Sequence, residues 1–183
     1  MGNLTQNLGS CYLWSEDLEK AKETISLALS QTNKNRERAL YTYGNLMLRL
    51  KRYDEALALH KEVLQTYLSD LGPEHPITAD SWHKVGRIFT TADYSGSNLK
   101  EAERCFRKTL EIMKHPNNIQ NSNSEIFVAR AKWRLAEVLE QGEEATRLQS
   151  EAKEYLSLRF RDNPPKFADT GELFDSLVIY WSR

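Results

Sequence analysis

Cysteine is nearly absent from this 183-residue chain: Cys11 and Cys105 are too few for a disulfide framework or a cysteine metal site. Neither sign of charge is in surplus. The 25 Lys and Arg face 26 Asp and Glu, a net charge of −1 that lacks the basic excess of a nucleic-acid-binding domain. No uncharged apolar run approaches the ~20 residues that a membrane-spanning helix needs. The opening MGNLTQNLGS has neither the basic nor the apolar part of a secretory signal. An intracellular, reducing, cytoplasmic setting is therefore expected, and the Asn3-Leu4-Thr5 sequon carries no weight. Glycine (8) and proline (5) are also scarce. Pro73, Pro76, Pro116, Pro164 and Pro165 interrupt no long periodic stretch, which predicts helices with short connections. A hydrophobic share of 40% with 28% charged residues fits one globular domain or one stack of repeats.

What is present repeats about every 34 residues. Over 2–35, Leu8, Gly9, Tyr12, Ala21, Ile25 and Ala28 stand at positions 7, 8, 11, 20, 24 and 27 of the unit. Over 37–70 the pattern returns as Leu40, Tyr43, Gly44, Met47, Tyr53, Ala56, His60 and Val63. Over 79–114 it is Trp82, Val85, Gly86, Phe89, Ala102, Phe106 and Thr109, with a lengthened turn at Asp93–Lys100. The weakest copy, 126–158, has Lys132, Leu135, Ala136, Leu139 and Ala145. Small residues at 8, 20 and 27 mark close helix approaches, and large ones fill the gaps between. Each hairpin leaves an apolar face uncovered, so neighbours must stack. The expected architecture is all-α: a right-handed solenoid of about four hairpins over 1–160, a polar linker at 161–170, and a capping helix at 171–183. That last helix carries Leu173, Phe174, Leu177, Val178 and Trp181 on one stripe.

On these residues the chain resembles the tetratricopeptide repeat family, and the resemblance covers nearly all of 2–160. The segment LGPEHPITADSWHKVG (Leu71–Gly86) is similar to the longer-loop subtype of kinesin light chains and of many fungal and bacterial signalling proteins. The ending LFDSLVIYWSR is similar to C-termini of fungal proteins with this repeat type, some with an NTPase switch module upstream. The resemblance implies a non-enzymatic scaffold or adaptor that binds a protein or peptide partner. An alternative implication is a C-terminal sensor or scaffold piece of a larger NTPase-type switch, with other domains of a longer chain as partners.

Nothing in the chain forms a catalytic constellation or calls for a cofactor. Gly9-Ser10-Cys11-Tyr12 imitates part of a papain-type nucleophile signature, but no histidine lies beyond His115 to act as base. A buried, inert Cys11 is expected instead. His60, His75, His83 and His115 show no metal-ligand spacing. His60 falls on a core position, and His75 stands where a helix-entry hydrogen bond suffices.

The informative residues are those that the repeat leaves free. In the family, positions 2, 5, 6, 9 and 13 of each first helix line a concave groove that takes peptides. Here they give Arg38, Tyr41, Thr42, Asn45 and Arg49, then Asp80, His83, Lys84, Arg87 and Thr91, then Arg130, Trp133, Arg134, Glu137 and Gln141. Repeat one offers the neutral Asn3, Gln6, Asn7, Ser10 and Trp14. Six bases (Arg38, Arg49, Lys84, Arg87, Arg130 and Arg134) meet two acids (Asp80 and Glu137), a surplus of +4. Tyr41 and Trp133 are expected as exposed aromatics, and Arg87 and Arg134 as positions outside the core. Arg38, Tyr41, Asn45, His83, Lys84, Arg87, Arg130, Trp133 and Arg134 are the resulting candidate site, suited to an extended acidic segment. The carboxylate clamp of chaperone-binding members maps to Tyr41, Asn45, Lys84, Arg130 and Arg134, of which only Asn45 and Arg134 agree.

Overall fold

The computed structural model describes residues 2–31, 36–119, 124–161 and 170–178. Among them the chain forms ten α-helices and no strand. Two compact units divide it, Met1–Asp70 and Leu71–Arg183.

The first unit contains α1 (Gly2–Trp14), α2 (Leu18–Gln31), α3 (Arg36–Arg49) and α4 (Tyr53–Asp70). α1 pairs with α2, α3 with α4, and α2 lies beside α3. The repeat positions explain the pairing. A β-carbon added at Gly9 would stand 2.6 Å from the Ile25 side chain, and one at Gly44 would stand 2.6 Å from His60 Nε2. Position 8 is thus the point where the first helix of a hairpin meets the large residue at position 24 of the second. The turns repeat as well: Glu16 (φ 63°) and Lys51 (φ 59°) occupy the left-handed region at the same place in each hairpin. Asp17 starts α2 by accepting a bond from the Lys20 amide at 3.3 Å.

Two expectations fail in α1. Cys11 is exposed rather than buried. It stands two residues, about 200° of helix, past Gly9, so it points away from α2. Leu8 is 47% exposed, whereas its equivalent Tyr43 is half-buried. α3 has α2 and α4 on its flanks, while α1 has α2 and a lighter contact with α3.

The second unit contains α5 (Pro76–Phe89), α6 (Leu99–Met113), α7 (Pro116–Ile119), α8 (Ser124–Leu139), α9 (Glu143–Phe160) and α10 (Thr170–Leu177). His75 caps α5: its Nδ1 accepts the Ile77 amide at 3.2 Å, with Pro76 as the first helical residue. The long turn ends at Asn98, whose Oδ1 accepts the Glu101 amide and opens α6. Gly86 meets Phe106 and Cys105 as Gly44 meets His60. The short α7 has no counterpart in the repeat pattern, because four residues of sequence PNNI carry no periodic signal. Asn118 on it donates to the Glu74 and Ile112 carbonyls, both at 2.8 Å, and so pins the α5 entry loop.

α10 lies on α8 and carries the expected stripe inward. Phe174 and Val178 are packed with Ile126, Ala129 and Ala152 of α8 and α9. Trp181 and the linker positions 162–169 lie outside the described residues.

Candidate functional site

α5 and α8 are the first helices of their hairpins, and their free positions converge in the second unit. Arg130 is 1% exposed, His83 2%, Lys84 5% and Arg134 6%. Guanidinium groups are this deeply buried only when paired, and the pairing partner comes from α10. Asp175 Oδ1 accepts Arg130 Nε at 2.6 Å, and Oδ2 accepts Arg134 Nη2 at 2.6 Å. Arg87 Nη2 stands 3.6 Å from the same Oδ2. Three arginines of two helices therefore close on one carboxylate of a third.

The surroundings reinforce that contact. Arg130 Nη1 reaches Asp80 Oδ1 at 3.5 Å, and Arg134 Nη1 donates to Glu137 Oε2 at 2.9 Å. Glu137 also accepts from Trp133 Nε1 at 2.7 Å. The Trp133 ring lies against Phe174 of α10, with centroids 5.9 Å apart, and Lys153 sits over it at 5.7 Å. A β-carbon on Gly171 would collide with the Arg134 guanidinium, so the bare backbone of α10 rests on that side chain.

Charge energetics follow from burial. For Asp175 burial alone would raise the carboxyl, but Arg130, Arg87 and Arg134 outweigh it and hold it well below the carboxylate range. Burial, and then the Arg130 charge, bring Lys84 down to about 7. The same two causes keep His83 neutral, well below its ordinary value. Burial lowers Arg134 as well, yet Asp175 and Glu137 leave it raised.

The other sequence-predicted residues fall elsewhere. In the first unit Tyr41 is buried and meets His60 edge-on at 4.8 Å. It is a core residue, not the exposed aromatic that its groove position implied, because His60 at position 24 leaves room for a ring against it. Asn45 is buried on the same helix. Arg38 is half-buried, and its carbonyl accepts the Thr42 hydroxyl at 2.9 Å. Arg49 pairs with Glu16 at the surface. The Asn3 and Gln6 side chains lie outside the described residues. Trp133 is half-buried under α10 rather than open to solvent. Arg134 belongs to the core, since α10 covers it.

Sequence reasoning missed Asp175. The stripe gave no signal for it: Asp175 lies about 100° round the helix from Phe174, beyond the edge of the apolar stripe, where a polar residue is ordinary.

A tetratricopeptide repeat model matches residues 35–115. The tetratricopeptide likeness extends to solved structures over more of the chain. BtubC (BKLC) from P. vanneervenii superimposes with a TM-score of 0.72 at 18% identity, over 92% of this chain and 68% of that one. TPR-like repeats of a kinesin-light-chain-type protein from Podosopora anserina give 0.54 at 16% identity, over 87% and 97%. A single-substitution form of the same repeats covers 96% of that chain at the same TM-score. No curated protein shows significant similarity. The fold is all-α and tetratricopeptide-like. Among the described residues no group of three or more His, Cys, Asp or Glu could hold a metal ion. No described helix is long and apolar enough to cross a membrane.

Proposed function

We propose that this protein is a tetratricopeptide interaction module of the long-loop, kinesin-light-chain-like kind. Its binding seat is the basic cluster of Lys84, Arg87, Arg130 and Arg134, and its ligand is an acidic segment of a partner protein. The observation that carries the proposal is the convergence of Arg87, Arg130 and Arg134 on Asp175. A carboxylate on an apolar segment is what these groups already grip, so α10 is the template for the partner. The chemistry sought is an acid flanked by large apolar residues, as in Leu173-Phe174-Asp175 followed by Val178. The apolar residues would lie over Ile126, Ala129 and Ala152, while the acid enters between the arginines. Since α10 is a helix, a helical partner segment fits this seat better than the extended one expected from the family. The seat lies within the second unit, so Arg38, Tyr41 and Asn45 are not part of it.

The test uses the full chain with Asp175→Ala, which loosens α10 without touching the arginines. A fluorescent peptide of the α10 sequence, TGELFDSLV, should bind this variant at micromolar affinity by anisotropy and bind the unaltered protein at least tenfold more weakly. Affinity should fall as salt rises, because the incoming charge is screened until it is seated. A peptide with Asn in place of the Asp should lose most of the binding. Equal binding of the Asp and Asn peptides would overturn the proposal.

A further inference from the structure

The charges around Asp175 do not balance on a single carboxylate. Lys84, Arg87, Arg130 and Arg134 face Asp80, Glu137 and Asp175 in one cluster. Among the described residues the three arginines meet three acids, and without Asp175 they meet two; Lys84, brought down to about 7, adds part of a further positive charge. The hydrogen-bond inventory is unbalanced in the same direction. Arg134 Nε is buried without an acceptor, although the rest of that guanidinium is bonded to Asp175 and Glu137. Neither nitrogen of His83, buried in the same cluster, has a hydrogen-bond partner. Arg87 stands 3.6 Å from the carboxylate, beyond a good hydrogen bond. Asp175 Oδ1 accepts from Arg130 and Oδ2 from Arg134, and the remaining lone pairs stand too far from Arg87 for a good hydrogen bond. What the cluster lacks is an acceptor within reach of both Arg87 and Arg134 Nε.

A phosphate monoester supplies it, with three terminal oxygens and close to two negative charges at neutral pH. Resting on the acidic-segment proposal above, we infer that the seat of Asp175 is a phosphoresidue site, and that the partner it fits is a segment phosphorylated on Ser or Thr at the Asp175 position. Two phosphoryl oxygens would take over the Asp175 bonds to Arg130 and Arg134. The third would accept from Arg87 and Arg134 Nε. The apolar floor of Ile126, Ala129 and Ala152 makes the ligand a peptide rather than a free anion, because a phosphate alone would leave that floor bare. Lys84, brought down to about 7 in the resting cluster, would regain its proton as the second charge arrives.

Three peptides on the full-length Asp175→Ala protein test this: TGELFDSLV, the same peptide with phosphoserine at the Asp position, and the Asn control. The phosphoserine peptide should bind at least tenfold tighter than the Asp peptide at pH 7.5. That advantage should shrink toward pH 5.5, as the phosphate dianion takes up a proton near pH 6. Equal affinity for the Asp and phosphoserine peptides, both well above Asn, would overturn the phosphoresidue inference and leave the acidic-segment proposal standing. Equal affinity for all three would overturn both. Inorganic phosphate at the same concentration should compete only weakly; competition as effective as that of the phosphopeptide would overturn the peptide assignment. All arms share one protein, so a folding defect cannot mimic the result.

Discussion

Lys84 makes the cost of the basic cluster measurable at a single residue. Its ammonium ordinarily titrates at 10.5, but burial and Arg130 bring it to about 7 in the fold. Between those values the unfolded chain binds a proton that the native chain has released. Stability should therefore rise with pH from about 7 upward, by up to about 1.4 kcal/mol per unit, and carry the full penalty below that. The cluster's other shifted groups act elsewhere: His83 below 6.5, Asp175 below 3.8, and Arg87 nearer its own higher range. Urea midpoints at pH 7, 8 and 9 should climb for the unaltered protein and stay level for Lys84→Met. A slope that survives the substitution would place the titrating group elsewhere. The identity of these cations was legible in the sequence, because they fall on positions that the repeat leaves unused. Their burial was not legible. It depends on Asp175, 41 residues beyond Arg134, and no period links the two.

At the level of helices, position 8 of the first helix and position 24 of the second share space. Gly86 shows how strict that sharing is. A β-carbon there would lie 2.9 Å from the Phe106 ring and 3.0 Å from Cys105 Cβ, both fully buried and unable to swing aside. Alanine would gain about 1 kcal/mol of helix propensity but would overpack this contact by about 1–3 kcal/mol. Gly86→Ala should therefore lower the melting temperature, and a rise in calorimetry would mean that α5 and α6 can part at little cost. α7 and the docking of α10 stand outside the repeat pattern. α7 is too short for a period to show, and its place is set by two side-chain bonds from Asn118. α10 showed its apolar stripe in sequence, which indicated that something would cover it. On the covered face Asp175, beside the stripe, meets Arg130 and Arg134.

For the whole molecule, the near-neutral total conceals a local surplus: the charge that matters is gathered in the Leu71–Arg183 unit and hidden under its last helix. The composition therefore argued against nucleic-acid partners without revealing where an anion would bind. The two thiols carry a different consequence, because each unit holds one. Cys11 is exposed in the first, and Cys105 is fully buried in the second, against Gly86. A water-soluble thiol reagent should modify Cys11 at once and reach Cys105 only during excursions that separate α5 from α6. Mass spectrometry over time would then show one adduct within seconds and a second after a lag. That lag is a clock for the opening of the second unit alone, built into the natural sequence without any label being engineered. Two adducts arriving together would show that the α5–α6 contact opens as fast as the surface reacts.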